Sequence, residues 1–244
     1  MELREVIYRR KSTRSYTGKP VDDATLKKIT DFCAQLKPLY PGIKVHSEIV
    51  ESDRVRCILP WTTPQSIAIF SEETGKGLLN VGFMYQQLDL YLQSLGLGSC
   101  WLGMGTVDKK GRDTMGRDNG LKFIILIAFG YPKENPLRDN RDEFRRKPLA
   151  EISDREDERL EAARIAPSSV NSQPWYFTHE GDMIHVYCTQ QGFLKKKALG
   201  KMNCIDVGIA LAHLYIENPV TFRFFRADAP GEVPGYKYAG SVTL

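Results

Sequence analysis

The stretch Ala166-Pro-Ser-Ser-Val-Asn-Ser-Gln-Pro-Trp175 decides the fold, and its position in the chain is as informative as its composition. Proline disfavours the helical conformation of the residue before it, so Pro167 predicts that a preceding helix ends there. Serine and asparagine favour a turn, and Trp175 opens a segment that is typical of a strand. A second distinctive segment, Arg9-Arg-Lys-Ser-Thr-Arg-Ser-Tyr16, lies about 150 residues upstream. Much of the chain therefore separates these two segments.

Two predicted helices with similar openings indicate an internal duplication. Residues 80–95 place apolar side chains at i, i+3, i+4 and i+7, which predicts an amphipathic helix. A second apolar helix is predicted from about Cys204 to Glu217. The helices open as Asn80-Val-Gly-Phe and Asp206-Val-Gly-Ile, 126 residues apart. Helices predicted to end at Pro38 and Pro167 repeat at a similar distance, 129 residues.

The order of the predicted strands supports the same reading. A strand precedes each central helix, and an apolar strand follows each one. These strands are predicted at residues 66–70 and 123–129 in the first half and at 183–188 and 221–225 in the second. We therefore predict an α+β fold of two similar halves, residues 1–150 and 151–244. Each half has an antiparallel sheet flanked by helices, and the central helices pack between the halves.

The two halves keep different motifs. The first half holds the basic segment Arg9–Tyr16 and a glycine-rich segment, Leu95-Gly-Leu-Gly-Ser-Cys-Trp-Leu-Gly103. Where the second half has the polar loop that follows Pro167, the first half has only Pro38-Leu-Tyr-Pro-Gly42. The second half in turn has no arginine-rich opening. Each half thus lacks what the other retains.

The basic segment and the polar loop together resemble the nitroreductase family, flavoenzymes that bind FMN. Members of that family are usually homodimers with two flavins at the subunit interface, and each site draws on both subunits. The resemblance implies that this chain is a covalent pseudo-dimer, monomeric or weakly associated, with one flavin site between its halves. It covers most of the chain and is specific in the basic segment, the glycine-rich segment, the polar loop and the segment Arg145–Leu149.

Carried onto this chain, the family's motifs imply three groups of flavin-binding residues and one further arginine. The basic segment holds the FMN phosphate and ribityl hydroxyls, the glycine-rich segment lies against the isoalloxazine ring, and the polar loop closes the site from the other half. The residues of the basic segment are Arg10, Lys11, Ser12 and Arg14, and those of the glycine-rich segment are Trp101, Leu102 and Gly103. The residues of the polar loop are Pro167, Ser168, Ser169 and Asn171. The further arginine, which belongs to a second phosphate-binding stretch, is Arg146.

The residue types suit this chemistry. Guanidinium groups and hydroxyls are strong partners of a phosphate dianion, and Gly96, Gly98 and Gly103 would let the backbone approach a flat ring. The cofactor carries the hydride chemistry, so no catalytic side chain is predicted. The resemblance implies a ping-pong reaction from NADH or NADPH through FMN to a nitroaromatic or quinone-type acceptor.

Several points stay open in the sequence. Met104 stands where the family often has a second glycine, and the segment Trp61–Pro64 falls where family members contact the pyrimidine edge of the flavin. Neither the nicotinamide nor the acceptor can be read from the sequence. The alternative is a relative that binds flavin or another ligand without turnover.

Composition excludes other classes. The net charge is only +4, and basic clusters such as Arg138-Asp-Asn-Arg-Asp-Glu143 contain acids, unlike a nucleic-acid-binding surface. The longest apolar run, residues 123–129, is too short to span a membrane. Five scattered cysteines without a Cys-x-x-Cys pair favour a reducing compartment, so we predict a cytoplasmic protein. The four histidines show no metal-ligand spacing, and no metal is predicted.

Overall fold

The computed structural model describes residues 1–115, 120–190 and 196–244 as an α+β fold with two four-stranded sheets and two long helices. The helices are α1 (Leu3–Ile7), α2 (Asp23–Cys33), α3 (Gly75–Ser94), α4 (Lys109–Thr114), α5 (Leu149–Ile152), α6 (Glu161–Arg164) and α7 (Lys196–Glu217). The strands are β1 (Val45–Glu51), β2 (Val55–Cys57), β3 (Gln65–Ser71), β4 (Gly98–Leu102), β5 (Gly105–Val107), β6 (Lys122–Gly130), β7 (Trp175–Glu180), β8 (Met183–Thr189), β9 (Arg223–Phe225) and β10 (Tyr236–Thr243).

The two large sheets have the same connectivity. Their strand orders are β1-β3-β6-β4 and β7-β8-β10-β9, so in each sheet the last strand in sequence lies between the second and the third. All neighbouring strands in both sheets are antiparallel. The long helix follows the second strand in both cases, as α3 after β3 and α7 after β8. The predicted α+β fold with antiparallel sheets is thus confirmed.

One part of the predicted repeat is wrong. The sequence pattern matched residues 123–129 with 221–225, but the connectivity matches β6 with β10 and β4 with β9. Strand β10 was missed because Tyr236–Thr243 mixes polar, apolar and glycine residues without a continuous apolar run. Strand β4 lies in the glycine-rich segment and was not predicted as a strand, because glycine is depleted in strands.

Both central helices begin earlier than the sequence predicted. Helix α3 starts after Thr74, whose hydroxyl accepts a hydrogen bond from Gly77 N at 3.0 Å. The glycines Gly75 and Gly77 in its first turn have low helix propensity and hide its start. Helix α7 starts at Lys196 rather than near Cys204, because its first turns lack the apolar periodicity on which the prediction depended.

The helices α3 and α7 cross through a reciprocal pair of glycines. A Cβ atom on Gly82 would lie 2.0 Å from the carbonyl oxygen of Ile205, and one on Gly208 would lie 2.1 Å from that of Leu79. Leu79 precedes Gly82 by three residues, as Ile205 precedes Gly208. The contact therefore has the form of an isologous interface, in which the same patch serves on both sides. The predicted packing of the central helices is confirmed.

The two large sheets and the two long helices share one hydrophobic core. The main cluster of buried side chains takes residues from both sheets and both central helices, among them Ile67, Phe129, Ile184 and Leu211. Within the described residues, no helix is long and apolar enough to cross a membrane. The same residues contain no group of three or more His, Cys, Asp or Glu side chains that could hold a metal ion.

Candidate functional site

The basic N-terminal segment runs alongside β4, which brings the first two predicted motifs together. Thr13 N donates to the carbonyl oxygen of Ser99 at 2.9 Å, and Ser12 forms a parallel bridge with Ser99. A Cβ atom on Gly98 would lie 2.5 Å from the Thr13 hydroxyl oxygen, so this glycine makes room for the basic segment. Gly96 ends α3 with a φ of 80°. The prediction that these two glycines admit a ring is therefore replaced by a structural role for each.

Arg10 is held in the interior by a buried ion pair. Its side chain is 1% exposed, and its Nε lies 3.2 Å from Oδ2 of Asp89. Asp89 also accepts from the Ser99 hydroxyl at 2.6 Å and from Gln86 Nε2 at 3.2 Å. A buried pair stabilises only when its remaining hydrogen bonds are satisfied, as they are at this carboxylate. Arg10 Nη2 turns toward the hydroxyl of Ser12, 3.3 Å away.

Arg138 adds a cation that sequence reasoning missed. Backbone pairing of residues 9–10 with 137–138, including Arg138 N to the Arg9 carbonyl at 2.6 Å, places it beside Arg10. Its Nε is buried and has no hydrogen-bond partner among the described residues. The acids that follow Arg138 in sequence suggested a neutralised surface cluster. Glu143 does lie 3.7 Å from Nη1, and the Arg138 guanidinium lies 4.6 Å from the centre of the Phe144 ring, but neither contact satisfies Nε.

Two guanidinium groups near Arg10 have a depressed basicity. Burial and the charge of Arg10 lower the pKa of Arg138. Burial, together with Arg10, Arg138 and Arg164, lowers the pKa of Arg146 to about 10. Gathering like charges in a desolvated place is unfavourable, and a bound anion would relieve it. We call Arg10, Arg138 and Arg146 the arginine cluster.

The polar loop is strained and tied to the arginine cluster. Among the described residues, those other than glycine with a positive φ are Val170 (48°), Asn171 (57°) and Gln173 (46°). Asn171 accepts from Arg146 Nη1 and donates through Nδ2 to the Arg145 carbonyl at 2.8 Å. Such backbone strain costs on the order of 1–3 kcal/mol per residue and is found mainly at functional sites.

Helix α7 brings the loop and the end of β4 to one face. Ser169 N donates to both carboxylate oxygens of Asp206, at 3.1 and 3.2 Å. Burial raises the pKa of Asp206 to about 8. One turn earlier, Met202 Sδ lies 3.2 Å from where a Cβ atom on Gly103 would be. Residues four apart share a helix face, so Gly103 and Ser169 flank the same surface of α7.

A buried polar chain fixes Trp101 between the halves. Trp101 Nε1 donates to Gln86 Oε1 at 3.0 Å, and Gln86 Nε2 lies 3.1 Å from His213 Nε2. His213 Nδ1 lies 2.8 Å from the carbonyl oxygen of Ala162. Burial lowers the pKa of His213 to about 3, so the ring is neutral. We assign the proton to Nδ1, where it meets a carbonyl, which leaves Nε2 to accept from Gln86.

The remaining predicted residues differ in exposure. Arg14, Gly103 and Asn171 are exposed, Lys11, Ser12, Trp101, Arg146, Ser168 and Ser169 are half-buried, and Pro167 and Leu102 are buried. The Leu102 side chain belongs to a separate core cluster on the far face of the first sheet. It lines a small cavity there with Trp61 and Thr63, so only its backbone can face α7 and the polar loop. The Trp61 ring lies 6.0 Å from that of Tyr16.

The corresponding place in the first half is filled by aromatic side chains. Asn80 Oδ1 accepts from Leu39 N at 2.8 Å and from Tyr40 N at 3.0 Å, as Asp206 accepts from Ser169. The Tyr40 ring packs edge-on against Phe224 of β9 at 5.4 Å. Lys76 Nζ lies 5.7 Å from the centre of the Tyr40 ring. The loop backbone is thus held by a central helix in both places, but in this one aromatic rings occupy the space beside the loop.

Comparison with known proteins gives a consistent family. The family model described as "Putative TM nitroreductase" matches residues 2–218. A solved structure from Thermotoga maritima MSB8, described as a "putative nitroreductase", is similar over 100% of this chain and 94% of that chain, with a TM-score of 0.66 and 18% identity. This likeness shows the fold. No curated protein matches the sequence.

Shorter solved structures match about half of the chain. A nitroreductase family protein from Clostridium novyi NT is 21% identical, with a TM-score of 0.45, over 59% of this chain and 91% of that chain. A protein named FMN-dependent nitroreductase from Clostridium difficile R20291 is 18% identical, with a TM-score of 0.44, over 57% of this chain and 93% of that chain.

Proposed function

The chain belongs to this nitroreductase family, and we propose that it is an FMN-dependent oxidoreductase with one flavin site between residues 1–150 and 151–244. The arginine cluster is the observation that carries the proposal. Arg138 presents a buried Nε without a partner among the described residues, and Arg146 has a depressed pKa. A phosphate dianion would satisfy both, because it accepts several charge-assisted hydrogen bonds at once.

The chain's residues would hold the cofactor from both halves. Arg138, Arg146 and Ser12 would bind the phosphate, with Lys11 and Arg14 at its outer side. The isoalloxazine ring would lie between the segment Trp101–Gly103 and the loop Pro167–Asn171. When bound, FMN would supply the hydride chemistry that links NADH or NADPH to a nitroaromatic or quinone-type acceptor in ping-pong order.

The protein's own contribution is positioning and an apolar entrance. The chain from Trp101 through Gln86 to His213 holds the first-half wall in place, and Asp206 holds the loop through Ser169. Beside them, Met104 is 60% exposed and Val170 is 89% exposed. Such apolar side chains at the rim favour a flat aromatic acceptor over a sugar or a peptide.

The filled counterpart supports a single site per chain. Beside the first-half loop, Tyr40 and Phe224 of β9 occupy the space that would correspond to a ring-binding position. Together with the reciprocal crossing at Gly82 and Gly208, this supports the interpretation of the chain as a covalent pseudo-dimer that works as a monomer.

Titration of the purified chain with FMN tests the proposal. We expect flavin fluorescence to be quenched with a stoichiometry of one FMN per chain, and anaerobic NADH or NADPH to bleach the flavin absorbance. Arg138→Gln should weaken binding on the order of tenfold or more, because a charge-assisted bond contributes about 1.5–3 kcal/mol. The matched control is Arg226→Gln, since Arg226 lies over the Tyr238 ring away from the arginine cluster.

Each other outcome has a definite meaning. A protein that takes up no FMN contradicts the proposal, and a stoichiometry of two contradicts the single site. A bound flavin that stays oxidised with both nicotinamides would favour a binding protein without turnover.

A further inference from the structure

A pair of cysteine thiols lies where α7 packs against the second sheet. Cys188 is near the end of β8 and Cys204 is on α7, and their side chains share a hydrogen bond. Both are partly exposed. Asn203 Nδ2 donates to the Thr189 carbonyl at 3.3 Å, which fixes this part of α7 against the end of β8. The two sulfur atoms are thus held in contact by the packing of the elements that carry them.

A cation lies on the same face of the sheet. Lys237 of β10 is directly opposite Cys188 in the strand pairing, and directly opposed residues project to the same side. The hydrogen bond with Cys188, and also the charge of Lys237, lower the pKa of Cys204, although burial opposes them. The pKa of Cys188 is raised by its hydrogen bond with Cys204 and by burial, and its Sγ also lies 3.8 Å from the Thr189 carbonyl oxygen.

The other thiols with a resolved shift behave differently. Burial raises the pKa of Cys33 to about 11 and also raises that of Cys100. The thiolate is the nucleophile in sulfur chemistry. The lowered pKa of Cys204 favours it as the attacking thiol, with Cys188 as the neighbour able to resolve it.

We propose that Cys188 and Cys204 form a redox-modification site that a low-molecular-weight disulfide oxidises to an intramolecular disulfide. The Cys204 thiolate attacks one sulfur of the small disulfide, which forms a mixed disulfide and releases one small thiolate. That thiolate takes the proton of Cys188, and the Cys188 sulfur then attacks Sγ of Cys204 and releases the second small thiol as a thiolate. One small disulfide is reduced to two thiols while two protein thiols become one disulfide. The site does not depend on the proposed flavin chemistry.

The test equilibrates the full chain with oxidised and reduced glutathione, blocks free thiols by alkylation, and maps the peptides by mass spectrometry. We expect a disulfide that joins Cys188 to Cys204, while Cys33 and Cys100 are recovered alkylated. In Cys188→Ser the reaction should stop at a glutathione adduct on Cys204. In Cys204→Ser neither a disulfide nor an adduct on Cys188 should form. Circular dichroism of each variant confirms that it is folded.

Alkylation rates give a second measurement that needs no oxidant. At pH 7 iodoacetamide should modify Cys204 on the order of tenfold faster than Cys33, because far more of Cys204 is ionised. Equal rates at the two residues would overturn the proposal. So would a wild-type chain in which Cys188 and Cys204 stay reduced while other cysteines acquire glutathione.

Discussion

Two loops occupy corresponding places in this molecule and carry different chemistry. Residues 167–171 and 38–42 each follow a helix and precede the first strand of a sheet. Backbone N–H groups of each loop donate hydrogen bonds to a polar side chain of a central helix. The acceptor is Asp206 for residues 167–171 and Asn80 for residues 38–42. The loop of residues 167–171 contacts the arginine cluster, whereas the loop of residues 38–42 contributes to an aromatic pair. The two loops and the helix residues that hold them are therefore repeated in the chain. The ability to bind a ligand depends on a few side chains that are present beside only one of the loops.

The largest effect on stability is expected at the crossing of α3 and α7, where the two helices make equivalent contacts. Gly82→Ala and Gly208→Ala should each lower the free energy of unfolding by about 3 kcal/mol, because the added methyl group forces two packed backbones apart. The clash distances are nearly equal, 2.0 and 2.1 Å, so the two losses should be similar. Urea denaturation measures both.

The control for this pair is another helical glycine. A methyl group added at Gly200 on α7 would lie in open space, with no neighbouring atom within 4 Å. Gly200→Ala should therefore leave stability unchanged or raise it by up to about 1 kcal/mol. If only one of the two crossing glycines proves sensitive, the reciprocal contact between α3 and α7 is refuted.

The next effect concerns the loop that meets the arginine cluster. Asn171→Ala removes the hydrogen bonds to Arg146 and to the Arg145 carbonyl. We expect FMN affinity to fall roughly 100-fold, because one change loosens both the loop and a phosphate-binding guanidinium. The residue at the corresponding place, Gly42, has open space around it, and Gly42→Ala should not change affinity. Fluorescence titration of both variants decides the matter, and flavin retained at full affinity in Asn171→Ala would contradict the one-site interpretation.

The sequence predicted the repeated frame better than the differences between its two copies. Helix periodicity and the matching openings at Asn80 and Asp206 were sufficient to predict the crossing of α3 and α7, because both are local patterns. The boundaries failed where local signals were weak, as in the glycine-rich first turn of α3 and the mixed composition of β10. Local pattern was also insufficient to match β4 with β9.

The site was predicted only where its residues form a contiguous motif. Arg138 was missed because its sequence neighbours are acidic, and only the pairing of residues 9–10 with 137–138 turns it toward Arg10. The hold of Asp206 on Ser169 spans 37 residues and has no local signature. Contacts of this kind depend on tertiary structure, so composition and spacing do not reveal them.

A smaller effect should follow from exchanging the two loop-holding residues. The raised pKa of Asp206, about 8, means that folding favours its neutral form. Its contribution to stability is complete below the ordinary pKa of an aspartate, near 4, and is lost as the pH rises to about 8. Asp206→Asn should therefore become more stable relative to the wild type as the pH rises from 5 to 8. Asn80→Asp should show the reverse, with a loss that grows between pH 5 and pH 8.

Unfolding free energies at pH 5 and pH 8 test this exchange. A difference between wild type and Asp206→Asn that is the same at both pH values would show that Asp206 is ionised throughout. The presence of an acid at position 206 and of an amide at position 80 would then need another explanation.

The smallest effect tests whether space or charge makes the site. Tyr40→Ser gives the first-half loop the residue found at position 169 and removes the ring that packs against Phe224. Stability should fall by more than about 1 kcal/mol, because the edge-to-face pair and the burial of the ring are both lost. We expect the stoichiometry to stay at one FMN per chain, because the emptied place gains no arginine cluster: Lys76 and Arg226 are its nearby cations, and neither is joined by a partner like Arg138 or Arg146 among the described residues. A second equivalent of flavin bound by Tyr40→Ser would mean that the aromatic pair alone closes the other side, and that the arginine cluster strengthens binding without defining where it occurs.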